Sequence, residues 1–101
     1  MAEKLRAALS RPEVAIRDFF DIDHAVRVTG LDVTGREFIR LLRAKLAVPG
    51  TGAVDVSLGR LADLRSQVDA QLRPVLRARE FDLFDLDRAF EIVRGVAEGL
   101  G

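Results

Sequence analysis

Apolar positions along this chain recur every three or four residues in almost every segment, and nowhere do they alternate over a long run. Leu5 and Leu9 share one face of a segment running from Ala2 to Leu9. Pro12 interrupts it and suits the first turn of the next helix, with Ser10 as the N-cap. That second helix is expected from about Glu13 to Val28, stopping at Gly30. Ile16, Phe19, Phe20, Asp23 and Val26 fall on its 3.6-residue period, so one carboxylate interrupts an apolar stripe.

Thr34-Gly35-Arg36-Glu37 has the form of a capping box and opens a third helix to about Val48, with Phe38, Leu41, Leu42 and Leu46 inward. Pro49-Gly50-Thr51-Gly52 is the clearest loop. The short Ala53 to Val56 run has the composition of an extended segment but no sheet to join. Ser57 to about Leu72 reads as a fourth helix, with Leu58, Leu61, Leu64, Val68 and Leu72 inward, and Pro74 breaks it. A last helix begins near Asp82 or Asp85 and runs to about Glu98, burying Phe84, Ala89, Phe90, Val93 and Val96. Gly95, Gly99 and Gly101 predict a frayed end. The expected fold is all-α: one domain spanning residues 1–101, a compact bundle of four to five helices.

Size and composition narrow the function classes. A chain of 101 residues buries roughly 65% of its unfolded surface, enough for one modest core. Hydrophobic residues at 49% and charged residues at 32% describe an ordered globular protein. The formal net charge is zero, which argues against nucleic-acid binding through bulk charge. Without cysteine there is neither a disulfide nor a thiolate metal site, in keeping with a reducing cytoplasm. Met1 to Leu9 alternates charged and apolar residues and is no signal peptide, and no later run is long enough to span a membrane. Lys4 and Lys45 are the only lysines.

Candidate chemistry concentrates in Arg17-Asp18-Phe19-Phe20-Asp21-Ile22-Asp23-His24, an arginine, three carboxylates and the only histidine within about two helical turns. Asp18 and Asp21 lie one turn apart, as do Asp21 and His24, which suits either an inward-projecting ligand set or a solvated acidic face with His24 half-buried. An oxygen-only site for magnesium is a further reading of the same carboxylates. Lys4 is either an exposed lysine or a point charge for a phosphate, packed near Asp18 through the turn at Pro12. Gly50-Thr51-Gly52 lacks the spacing and the lysine of a phosphate-binding loop. No serine–histidine–aspartate signature occurs, and the six phenylalanines read as core.

Ala2-Glu3-Lys4-Leu5-Arg6-Ala7, followed by Ala15-Ile16-Arg17-Asp18-Phe19-Phe20-Asp21-Ile22 and later Leu72-Arg73-Pro74-Val75-Leu76, resembles the AbiEii/AbiGii nucleotidyltransferase toxin family of bacterial toxin–antitoxin and phage-defence systems. The resemblance covers essentially the whole chain, but only the helical C-terminal half of the family. It implies Lys4 and Asp18 as active-site residues, with Arg17 and Asp21 supporting them at the nucleotide. It also implies magnesium and a nucleoside triphosphate for the full-length family, an RNA acceptor, and a cognate antitoxin. The family's N-terminal half carries a glycine/serine turn and an Asp-x-Asp pair for magnesium, and this sequence has no such pattern on a strand. Asp21-Ile22-Asp23 has the letters, but on a helix those side chains diverge by about 200°. The expectation is therefore a chain without the catalytic half, inactive alone: a truncated product, a fragment, or one half of a split enzyme. The alternative is a non-enzymatic interaction module that forms a homodimer or binds a partner protein through an exposed apolar surface.

Overall fold

A computed structural model describes residues 1–100 of the chain. Among these residues six α-helices and one π-helical turn pack together, and no strand forms. They are α1 (Ala2–Ser10), α2 (Ile16–Arg27), α3 (Arg36–Leu46), α4 (Leu58–Gln67) with the π turn Val68–Leu72 continuing it, α5 (Ala78–Leu83) and α6 (Leu86–Leu100). The all-α expectation holds, with one helix more than the periodicity predicted, the short α5 that precedes the last segment. None of the helices is long and apolar enough to cross a membrane.

The core gathers around α2. Leu5 and Leu9 of α1, Ile16, Phe19 and Ile22 of α2, Leu42 of α3, Leu64 of α4, Leu72 of the π turn and Val93 of α6 are almost completely buried. Phe19 lies nearly parallel to Phe90 of α6, with ring centres 6.1 Å apart, and Phe20 meets Phe84 at 5.7 Å. These contacts clamp α2 between α1 and α6, so its polar edge is presented against fixed neighbours.

Several local expectations are corrected. Ser10 ends α1 instead of capping α2; its hydroxyl donates to the Arg6 carbonyl at 2.7 Å. Arg11, restricted by the proline that follows, is extended, and α2 starts only at Ile16. Thr34 does not form the capping box. Its amide and hydroxyl both donate to Asp32 at 2.8 and 2.6 Å, an aspartate turn that competes with the helix start, and α3 begins at Arg36 behind Gly35. Leu41 and Leu58, expected inward, are exposed. Leu58 is the first residue of α4, whose buried positions are Arg60 and Leu64, with Arg60 turned to the end of α1.

Other signals were read correctly. Ser57 caps α4, accepting from the Arg60 amide at 3.3 Å. Asp85, not Asp82, opens α6, accepting from the Arg88 amide at 3.2 Å; Asp82 lies inside α5, and Phe84 is in the link between the two helices. Gly30 adopts φ +73°, a conformation that favours glycine, and lets the Leu31 amide donate back to the Ala25 carbonyl at 3.0 Å. α6 passes through Gly95 and Gly99 to Leu100; Gly101, the third glycine of the expected frayed end, lies outside the described residues.

Candidate functional site

Lys4 leaves α1 from its first turn, while Leu5 and Leu9 anchor that helix in the core. Asp18 stands in the first turn of α2, where a carboxylate is favoured by the helix dipole, and Asp21 follows one turn later. The packing of α1 on α2 brings these groups together. The Lys4 Nζ lies 2.8 Å from Asp21 Oδ2 and 3.7 Å from Asp18 Oδ1, so one ammonium bridges both carboxylates. Arg17 reaches Asp21 at 3.5 Å, and Arg11, from the turn between the helices, reaches the other Asp18 oxygen at 3.7 Å. All four residues singled out in the sequence, Lys4, Arg17, Asp18 and Asp21, thus meet in one cluster.

The cluster is half open. Asp18 is 7% exposed, whereas Lys4, Arg11 and Arg17 keep much of their side chains in solvent. Hydrogen bonding to Asp21 raises the Lys4 pKa above its ordinary value against the opposing effect of partial burial, with the Asp21 and Asp18 charges adding to the rise. Lys4 is therefore a firmly protonated cation at neutral pH. Among the described residues Asp18 Oδ2 is the one buried side-chain oxygen or nitrogen that makes no hydrogen bond. A buried polar atom without a partner costs about 1–3 kcal/mol, and such atoms mark places where a further donor would be welcome.

His24 does not join this cluster. It sits half-buried against the Phe20 ring, with centres 6.1 Å apart. Asp23 diverges from Asp21 as the helical geometry requires. It is 1% exposed and receives two hydrogen bonds from Arg88 of α6, at 2.8 and 3.0 Å, with Arg27 at 3.5 Å. That ion pair explains the carboxylate in the apolar stripe of α2.

Among the described residues no three histidine, cysteine, aspartate or glutamate side chains converge as a metal-binding group. Asp18 and Asp21 are already bridged by an ammonium, and Asp23 is committed to Arg88, so this donor set does not fit the oxygen-only magnesium site that the spacing of these carboxylates suggested. The cluster fits an anion better, because three cations face two carboxylates and the cations hold the solvent-facing rim.

Sequence reasoning missed Arg11, Arg60, Gln67 and Arg88. Arg60 is 6% exposed and its guanidinium donates to the carbonyls of Ala8 at 2.7 Å and Arg11 at 2.8 Å, with a longer contact of 3.4 Å to Ala7. Burial pulls its pKa down, partly opposed by the charges of Asp55 and Asp63. The Gln67 amide accepts from the Ile16 N–H and donates to the Val14 carbonyl, both at 2.9 Å. The available signal was the phase of α4: Arg60, Leu64 and Gln67 follow an i, i+4, i+7 pattern and share one face.

Compared with known families, residues 1–94 match the family model described as nucleotidyl transferase AbiEii toxin, type IV toxin–antitoxin system. The chain belongs to the AbiEii toxin family. No curated protein and no solved structure matches it. Membership in a type IV toxin–antitoxin family brings with it a cognate antitoxin as the expected partner. The AbiEii match includes both helices of the Lys4 cluster, the π turn and most of α6.

Proposed function

We propose that this chain is the helical portion of an AbiEii-type nucleotidyltransferase toxin and forms one wall of its nucleotide site. Lys4 supplies a point charge to the phosphates. Asp18 orients the substrate or accepts a proton from it, and Arg17 and Asp21 set the position and charge of that pair. The complete reaction moves a nucleotidyl group from a nucleoside triphosphate onto an acceptor, taken from the family likeness to be an RNA. Phosphoryl chemistry of that kind needs metal-binding carboxylates and a triphosphate cradle, and in this reading a catalytic half supplies both and the chain acts only together with it.

One observation carries the reading: a lysine and a carboxylate from different helices meet at a half-open edge of the bundle, and the carboxylate keeps a buried oxygen that accepts no hydrogen bond. The test is titration of the chain with each nucleoside triphosphate and magnesium, followed by calorimetry, for wild type and Asp18→Ala. Binding is expected to vanish in the variant. Its folding stability should stay within about 1 kcal/mol, because the deletion also removes an unsatisfied buried atom. A large stability loss with unchanged binding would make Asp18 a structural residue.

A second reading, an interaction module, draws on exposed apolar side chains: Leu41 and Val48 near α3, Leu58 at the start of α4, and Val75. It predicts a dimer in sedimentation whose affinity ignores nucleotide; a monomer at every concentration refutes it.

A further inference from the structure

We infer that Arg60 and Gln67 of α4 are positioning residues that set the Lys4–Asp18–Asp21 geometry by clamping both ends of the turn joining α1 to α2. This deepens the nucleotide-wall reading and rests on it for its functional meaning. The argument starts from the orphan backbone groups at two helix ends. The last carbonyls of α1 and the first amides of α2 have no partners within their own helices, and no N-cap side chain bonds the start of α2. The Arg11 amide takes the Ala7 carbonyl and the Asp55 amide takes the Leu9 carbonyl, and α4 supplies side-chain partners at both ends of the turn. The Arg60 guanidinium takes the Ala7, Ala8 and Arg11 carbonyls. The Gln67 amide takes the Ile16 N–H and the Val14 carbonyl.

The two side chains lie seven residues apart on one helix face, so a single rigid element holds the turn 11–15 at its entrance and its exit. That turn fixes the angle between the helix that carries Lys4 and the helix that carries Asp18 and Asp21, and it carries Arg11 itself. Apolar packing of Leu5, Leu9, Ile16 and Phe19 brings the helices together but has no directional preference. Hydrogen bonds to the backbone on both sides of the turn supply the direction that a 2.8 Å ammonium–carboxylate contact needs. Among the described residues Arg60 has no carboxylate within salt-bridge distance, and the negative end of α1 serves as its counter-charge.

The test uses the fact that the chain has only two lysines. Lys4 reports on the α1–α2 contact, and Lys45 of α3, which lies 3.3 Å from Glu3 of α1, reports on the α1–α3 contact. The titration of both is followed by NMR of isotope-labelled lysine, without nucleotide, in wild type and in Gln67→Met. Methionine keeps the length of the side chain, so the half-buried position stays filled while both hydrogen bonds are lost. The Lys4 midpoint is expected to fall toward the ordinary 10.5, with the Lys45 resonance unmoved. Arg60→Lys keeps the charge, loses the planar fork, and should move Lys4 in the same direction.

A Lys4 midpoint unchanged in both variants would overturn the clamp. So would a shift of both lysines together, which would make Gln67 a general stabiliser of α1. If wild type binds no triphosphate while Lys4 still responds to Gln67→Met, the nucleotide-wall reading fails and the clamp stands. If triphosphate binds and Lys4 ignores both variants, the clamp alone fails.

Discussion

The Arg88–Asp23 pair makes a prediction in which removing the arginine and removing the aspartate have very different costs. Asp23 is 1% exposed and its two oxygens receive the Arg88 guanidinium at 2.8 and 3.0 Å, while the Arg88 side chain is 39% exposed. Hydrogen bonding to Asp23 raises the Arg88 pKa, so the guanidinium is charged at neutral pH. In Arg88→Met the carboxylate stays in the core with only Arg27, at 3.5 Å, nearby. Stranding a buried charge costs about 3–5 kcal/mol, and the remaining arginine places this case at the lower end, roughly 3 kcal/mol. For a domain of this size that lowers Tm by roughly 12–24 °C. In Asp23→Leu the core gains an apolar group of similar size and Arg88 turns to water, so the cost should stay under about 1 kcal/mol. The double variant should resemble Asp23→Leu, giving an interaction energy of about 3 kcal/mol in size between the two sites, equal to the Arg88→Met cost. The assay is urea unfolding followed by far-ultraviolet circular dichroism, since the chain has no tryptophan or tyrosine. Equal costs for the two single variants, or simple additivity in the double, would refute this account.

Gly52→Ala should destabilise the chain by about 1–3 kcal/mol, because a Cβ at that position would lie 2.5 Å from the Ser10 carbonyl oxygen; a melting temperature equal to wild type would show that the loop 49–57 does not hold the end of α1. Stability should also fall at both pH extremes. Thr34 holds the Asp32 carboxyl and Ser57 holds the Asp55 carboxyl below the ordinary 3.8, so their contributions are present above that value and are lost as pH drops through the folded values. Lys4 has the opposite sign: its raised pKa contributes stability fully below 10.5 and loses it as pH rises through the folded value. Urea midpoints across pH should therefore fall on the alkaline side in wild type and less steeply in Lys4→Met, and parallel profiles would contradict the Lys4–Asp21 contact.

Most of the architecture was legible because it depends on local periodicity. The stripes Leu5/Leu9, Ile16/Phe19 and Ala89/Phe90/Val93/Val96 are all buried, and Ser57 and Asp85 cap where short polar side chains precede an apolar run. What escaped was competition between neighbouring partners and everything that depends on a group distant in the chain. Thr34 had the letters of a cap, but Asp32 offered its amide a nearer partner, and only the three-dimensional turn decides between them. Likewise Asp23 looked like a flaw in a hydrophobic stripe until Arg88, 65 residues later, supplied the charge that makes it tolerable.

The candidate site divides along the same line. Asp18, Asp21 and Arg17 stand on one helix, so their proximity follows from spacing alone. That Lys4 joins them depends on the direction in which the chain leaves α1. Pro12 marks a break there but does not set its angle, because the bonds that do so come from Arg60 and Gln67 about 50 residues further on. A sequence can thus name the residues of this cluster while remaining silent about the element that holds them together. The charged residue at an inward phase of α4 is where that silence could have been broken: an arginine on the same face as Leu64 must find acceptors in the core, and free helix-end carbonyls are the acceptors an all-helical protein offers.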